Sequence, residues 1–270
     1  MGYDISYHPI SEKEMYLWYV QPVEAAAKDD FAAAEQHAAE HEVHEFYQQK
    51  YKDTLKTGAE TTHEETFDKS HGYYIANVQG FFRKYFYTRG SAFSFLIDSK
   101  PYFKKYTKNW QDTLPGQYKN AAINSITENY SSGVYLPYES VEQLYQDYQS
   151  SAQIRNDLDS FFSHGRIAIF QEALAFCREH QLGLLEASEV VEPNPLDLNQ
   201  SVCYSNLFNC DVAGALLYQE TAMQQIAEIE QQQGKPEGSI AKNASYTKTV
   251  TPPPIIESEK KSFWKKIFGK

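Results

Sequence analysis

The stretch VEAAAKDDFAAAEQHAAEHEVHEFYQQKYKDTLK, residues 23–56, decides the fold class. It is dense in Ala, Glu, Gln and Lys, residues that lose little on entering a helix. Its apolar positions Ala27, Phe31, Ala34 and Ala38 recur on one helical face. One long helix is expected, burying that face against its neighbours.

Working outward, Ser11 and Glu14 have the spacing of a capping box, which opens a helix running to Val20, with Pro22 as an interruption. Before it, residues 3–7 alternate like a strand and meet His8-Pro9, a pair that favours extended backbone. Thr62 and Glu65 form a second capping box, and the helix behind it carries Phe67, Tyr74, Val78 and Phe81. Residues 91–97 fit either a buried strand or a helical turn, because a short apolar run has no diagnostic period. Residues 116–130, 139–162, 165–182 and 211–232 read as helices, the last with Val212, Leu216 and Ile226 inward. Val134 to Leu136 reads as a short extended piece. Residues 184–200, with Pro193 and Pro195, read as a loop crossing the surface. The predicted fold is therefore mainly α: an irregular multi-helix bundle with at most a few short strands. It occupies residues 1–233 and is followed by a flexible linker, residues 234–258, and a short amphipathic tail, residues 259–270.

Charge divides along the same lines. The 270 residues carry a net −11, yet Lys235 to Lys270 hold eight Lys and three Glu, so the preceding 234 residues carry −16. An acidic body repels phosphate backbones and argues against nucleic acid as its partner. The chain contains 21 Tyr, more than a core requires, and Tyr is suited to protein interfaces. Three cysteines, an odd and low number, with no secretory leader, point to reduced thiols and the cytoplasm. No apolar run approaches the roughly 18 residues that span a bilayer.

Four groups of residues carry possible chemistry. The first is His37-Ala38-Ala39-Glu40-His41, with His44 beyond it. On one uninterrupted helix His37, His41 and His44 share a face. The H-x-x-E-H string matches the inverted zincin signature, in which two His hold zinc and the Glu, here Glu40, acts as general base. A third protein ligand would come from another helix, with Glu64, Glu65 and Glu128 available. Three His on a solvated face of an Ala-rich helix need no metal. The second group, Cys177 with His180 and Cys203 with Cys210, supplies four soft ligands at spacings unlike those of zinc knuckles. A buried structural thiol is the simpler reading of Cys177.

The third group is a basic stretch in which Arg83, Lys84, Arg89, Lys100, Lys104, Lys105 and Lys108 interleave with eight aromatics, a pattern that can hold phosphates or single strands. It equally fits the wet edge of an aromatic core. The fourth is the tail: Phe263, Trp264, Ile267 and Phe268 fall on one helical face, flanked by lysines that include Lys265 and Lys266. Such a face docks on an anionic membrane, here the inner face, or in a protein groove. G-x-S-x-G, Walker A and G-x-G-x-x-G motifs are all missing. The leading expectation is a non-enzymatic binding protein without cofactor, for example one that neutralises a basic toxin. A zinc hydrolase built on His37, Glu40 and His41, and a nucleic-acid or phosphate binder built on residues 83–108, are the alternatives.

Overall fold

The structure, a computed structural model, describes residues 3–61, 69–114 and 132–243. The second capping box, the helix expected at 116–130, Glu64, Glu65, Glu128 and the whole amphipathic tail lie outside these residues. The chain forms two compact units, Met1–Gln225 and Ile226–Lys270.

The first unit is a mixed α/β structure and not the mainly helical bundle the sequence predicts. A four-stranded antiparallel sheet runs through it in the order β2-β1-β4-β3. The strands are β1 (Asp4–Ile10), β2 (Phe86–Arg89), β3 (Ser132–Leu136) and β4 (Gly183–Ser188). The correction comes from β4. Its six residues, expected as the stop after a helix and the start of a surface loop, are all buried. They pair with β1 from Ile5↔Ser188 to Ile10↔Gly183 and with β3 on the other side. A strand covered on both faces shows no in–out alternation, so Leu184-Leu185-Glu186-Ala187 carries no period-two signal. A smaller two-stranded sheet joins β5 (Val191–Glu192), inside that same expected loop, to β6 (Val202–Cys203) just beyond it.

β1 is recognisable from its sequence, and it runs through Pro9. In the register with β2, Tyr3, Ile5 and Tyr7 direct their backbone groups toward β2, and so does Pro9. The last β1–β2 pair is Tyr7↔Phe86, so the missing Pro9 N–H falls beyond the end of β2 and breaks no ladder bond.

Helices cover both faces. On one face Ile10, Leu185, Ala187 and Tyr135 pack against residues of α1 (Glu12–Met15), a π-helical turn at Tyr16–Val20, α2 (Gln21–Ala26), α3 (Ala32–Glu40), α4 (Glu45–Glu60) and α5 (His71–Phe82). On the other, Ile5, Tyr7, Phe86, Val134, Leu136 and Leu184 meet α6 (Phe93–Ser99) and a 3-10 turn at Pro101–Tyr106. A short α7 (Trp110–Thr113) carries Trp110, whose indole N–H donates to the Gly133 carbonyl on β3 at 3.0 Å. The second layer is completed by α8 (Tyr138–Ser150), α9 (Ala152–Phe161) and α10 (Arg166–Glu179).

The capping box at Ser11 and Glu14 forms with both reciprocal bonds. The long helix expected over 23–56 is instead three. Asp29 and Glu42 adopt left-handed conformations with φ of 55° and 56°. Asp30 Oδ1 accepts the Ala32 N–H at 3.2 Å, and His44 Nδ1 accepts the Phe46 N–H at 3.2 Å. Short polar side chains thus offer the backbone local partners that compete with helix continuation. α11 (Val212–Gln232) forms where expected. In the second unit, Glu230 is buried and accepts the N–H groups of Gly238 and Ile240, both at 2.7 Å, at the start of α12 (Ser239–Asn243).

The paired strands β1 and β4 bury His8 on one face of the sheet and Glu186 on the other. His8 is fully buried, bonded to Gln79 Oε1 at 2.7 Å and Ser6 Oγ at 2.8 Å, and stacked on Tyr85. Burial pushes its pKa down from 6.5 to about 3. Glu186 is fully buried on the other face, paired across the strands with Tyr7. Burial pushes its carboxyl up from 4.5 to about 7, against the N–H groups of Phe93 and Ser94 that it accepts. Gly133 leaves the room, since a Cβ there would overlap Glu186 Oε1.

These two shifts oppose each other in pH. Folded Glu186 keeps a proton that the unfolded chain has lost between pH 4.5 and 7, so its contribution to stability falls as pH rises through that window. Folded His8 refuses a proton that the unfolded chain takes up between pH 3 and 6.5, so its contribution rises with pH. The windows overlap from 4.5 to 6.5. There the two slopes, each about 1.4 kcal/mol per pH unit, cancel. Glu186→Gln should remove one slope. Its stability in urea, relative to the unsubstituted chain, should climb by about 3 kcal/mol across that overlap. Parallel profiles for the two proteins would show that Glu186 does not hold the proton.

Candidate functional site

The histidine motif lies against the π turn. Trp18 stacks on Phe82 with ring centroids 4.1 Å apart, and the rings of His37 and His41 close over Trp18 at 4.3 and 5.1 Å. These rings, with Glu14 and Arg83, line a small cleft of about 310 Å³. The helix break parts His44 from the other two predicted ligands, whose rings stay 4.3 Å apart. His37 is within α3, His41 is its C-cap, and His44 caps α4. Nδ1 of His41 donates to the His37 carbonyl at 2.9 Å. Burial, and then the neighbouring His41, lower the pKa of His37, which favours a neutral ring packed on Trp18. Glu40 turns away and accepts from Gln36 Nε2 at 2.8 Å on the exposed side. Among the described residues no group of three or more His, Cys, Asp or Glu could hold a metal ion. Among the described residues H-x-x-E-H therefore gains no third ligand: His44 caps another helix and Glu40 bonds to Gln36, while Glu64, Glu65 and Glu128 lie outside these residues.

The soft ligands are also parted. Cys177 donates to the Gly183 carbonyl at 3.3 Å in the core beside β4, and burial pushes its thiol pKa well up. Cys203 and Cys210 instead flank the hydroxyl of Tyr85, with Cys203 Sγ at 3.3 Å. His180 is exposed at the end of α10.

Compared with protein-family models, curated proteins and solved structures, the chain matches none.

The basic stretch proves to be a set of counter-charges. Arg83 pairs with Glu14, Lys84 with Asp211 and Glu172, and Arg89 with Asp4. Lys100 pairs with Asp157, Lys105 with Asp147 and Lys108 with Glu12. Lys104 is exposed on the 3-10 turn beside them. Six of the eight interleaved aromatics, Tyr85, Phe86, Tyr87, Phe93, Phe103 and Tyr106, are buried in the core. Stacking on bases needs open ring faces, and these six present none. No described helix is long and apolar enough to cross a membrane. The tail residues Phe263, Trp264, Lys265, Lys266, Ile267 and Phe268 lie outside the described residues.

Two features escape the sequence reading. One is a run of exposed apolar side chains, Tyr204, Leu207, Phe208, Val212 and Leu216, of which Phe208 is 89% exposed. A signal for it is present. Val212 and Leu216 are i, i+4 neighbours on α11, but the inward face there belongs to Ala213, Leu217 and Tyr218. The other feature is a cleft of about 660 Å³ whose lining includes Arg89, His164 and Arg166. Nothing in the spacing of these residues announces it.

The metal reading has a direct test. Protein loaded with excess zinc and then desalted should retain well under one zinc per chain, and His41→Ala should leave that small amount unchanged. A stoichiometric zinc that disappears in His41→Ala would restore the hydrolase reading.

Proposed function

We propose that the chain is a non-enzymatic binding protein whose acidic body engages a basic protein partner through the apolar side chains exposed between Tyr204 and Leu216. The observation that carries this reading is Phe208, 89% exposed on a 3-10 turn with Leu207 and followed by exposed Val212 and Leu216. An isolated surface hydrophobe needs no explanation. Five in one short stretch, one of them an almost bare phenylalanine, have the make-up of an interface centre. The turn is built to present them. Asn206 Oδ1 accepts the Phe208 N–H at 3.0 Å, Asn209 Nδ2 donates to the Gly80 carbonyl at 2.9 Å, and Ser205 Oγ donates to the Asn77 carbonyl of α5. A ring held out by a braced turn loses little entropy on docking.

The net −16 of the first 234 residues selects a basic partner. The neutralisation of a basic toxin is one form of that reading. In it the protein acts in the cytoplasm, and the basic aromatic tail, Phe263 to Phe268, docks at the inner membrane surface.

The test begins with capture from the native host, followed by reconstitution of the purified pair. Phe208→Ala should weaken a saturable one-to-one complex by about 2 kcal/mol or more, roughly thirtyfold. Leu216→Glu should do the same, and rising salt should slow association. A partner whose affinity is indifferent to both substitutions would place the interface elsewhere and end this reading.

A further inference from the structure

The larger cleft is independent of that surface and is made of different chemistry. Its floor is the end of β2 and the turn after it, Tyr87 to Gly90, and its walls come from the start of α10 and from α11. Among its lining residues there are two arginines, Arg89 and Arg166, and one histidine, His164, and no Asp or Glu. In a unit this acidic, that is a local inversion of charge.

The two guanidiniums are held differently. Arg89 pairs with Asp4 Oδ1 at 2.5 Å and lies over the Tyr218 ring at 4.9 Å. Arg166 pairs with no carboxylate among the described residues. Its Nε donates to the Ser163 carbonyl at 2.8 Å, Nη1 to the Arg89 carbonyl at 2.7 Å and Nη2 to Ser163 Oγ at 3.1 Å. Three of its five N–H donors are thereby committed to the scaffold. These bonds fix the plane of the guanidinium and leave two donors for something else. Burial lowers its pKa from the ordinary range, the mark of a cation whose anion is not supplied by the described residues. Gly90 and Gly165, with φ of 77° and 81°, and His164, with φ of 56°, shape the two turns beside it. Ile169, Leu217 and Ala222 give the remaining wall an apolar surface.

We infer that this cleft binds a small organic anion, a carboxylate or phosphate monoester on an apolar body, with the anionic group on Arg166 and the body against Leu217 and Ala222. The fixed, planar donor pair suits either anion bidentately. A few polar groups converging in a mostly apolar cleft is the usual composition of a small-molecule site.

Calorimetric titration of the full chain with benzoate and with phenyl phosphate tests this, with benzyl alcohol as the neutral counterpart. At least one anion should bind saturably and one-to-one, and benzyl alcohol should not. Arg166→Gln should weaken that binding at least about tenfold. Because Arg166 also braces two turns, Ala222→Glu and Ala222→Lys provide the second arm. Both add a long side chain to a helix wall and differ only in the sign of the charge. Ala222→Glu should abolish binding, while Ala222→Lys keeps or strengthens it. Absence of saturable binding by either anion would overturn the inference. So would equal binding of benzyl alcohol, or equal loss in Ala222→Glu and Ala222→Lys.

Discussion

The pairing of β1 with β4 is the constraint on which the rest of the first unit depends. Ser6 and Ala187 are 181 positions apart and meet at the centre of the sheet. Neither strand can stand alone: β1 is buried from Ile5 to Ile10, and β4 over its whole length. Each needs the other for its backbone bonds and a helical layer on each face for its side chains. The cost of so long a closure is mainly entropic and grows only slowly with loop length, but it delays folding until most of the chain is made. The same pairing places His8 and Glu186 on opposite faces, where each is enclosed without an opposite charge beside it. A buried lone ionisable group tends to neutralise, and these two do so in opposite directions. The sheet is thereby built to be electrically neutral at its centre across mildly acidic pH.

How much of this is legible follows from where the local signals agree with the tertiary ones. The capping box at Ser11 and Glu14, strand β1, the extended piece at Val134 to Leu136, and the helices at 166–179 and 212–232 carry their own patterns, and all of them form. β4 carries none. Its single charged residue, Glu186, and the prolines that follow at 193 and 195 give it the local look of a loop. Only the partner strands and helices make it the middle of a sheet. Residues 23–56 fail in the opposite sense. Propensity favours one rod, but Asp29-Asp30 and Glu42 to His44 end helices through side-chain bonds and left-handed residues. That break parts His44 from His37 and His41, because a shared face for all three exists only on the unbroken rod.

The basic stretch shows a related limit. A count of cations along the chain says nothing of their partners, most of which come from remote segments: Glu14 for Arg83, Asp4 for Arg89, Glu12 for Lys108, Asp147 for Lys105. Each such pair is partly exposed and contributes little stability by itself. Their collective effect is on placement, since they tie the aromatic segment between Tyr85 and Tyr106 to acidic residues on other strands and helices.

That distribution gives weight to Arg166, which shares with Arg155 the lack of a carboxylate partner among the described residues but, unlike Arg155, lines a cleft. In a chain with an excess of sixteen negative charges over its first 234 residues, a carboxylate for Arg166 would be easy to supply. Lys84, Arg89 and Lys100 all find such a carboxylate. Arg166 instead commits three donors to backbone and hydroxyl oxygens, which orient it without neutralising it. A guanidinium kept oriented, half-buried and uncompensated costs stability. In a chain with acid to spare, that cost is explained when the missing charge arrives with a ligand.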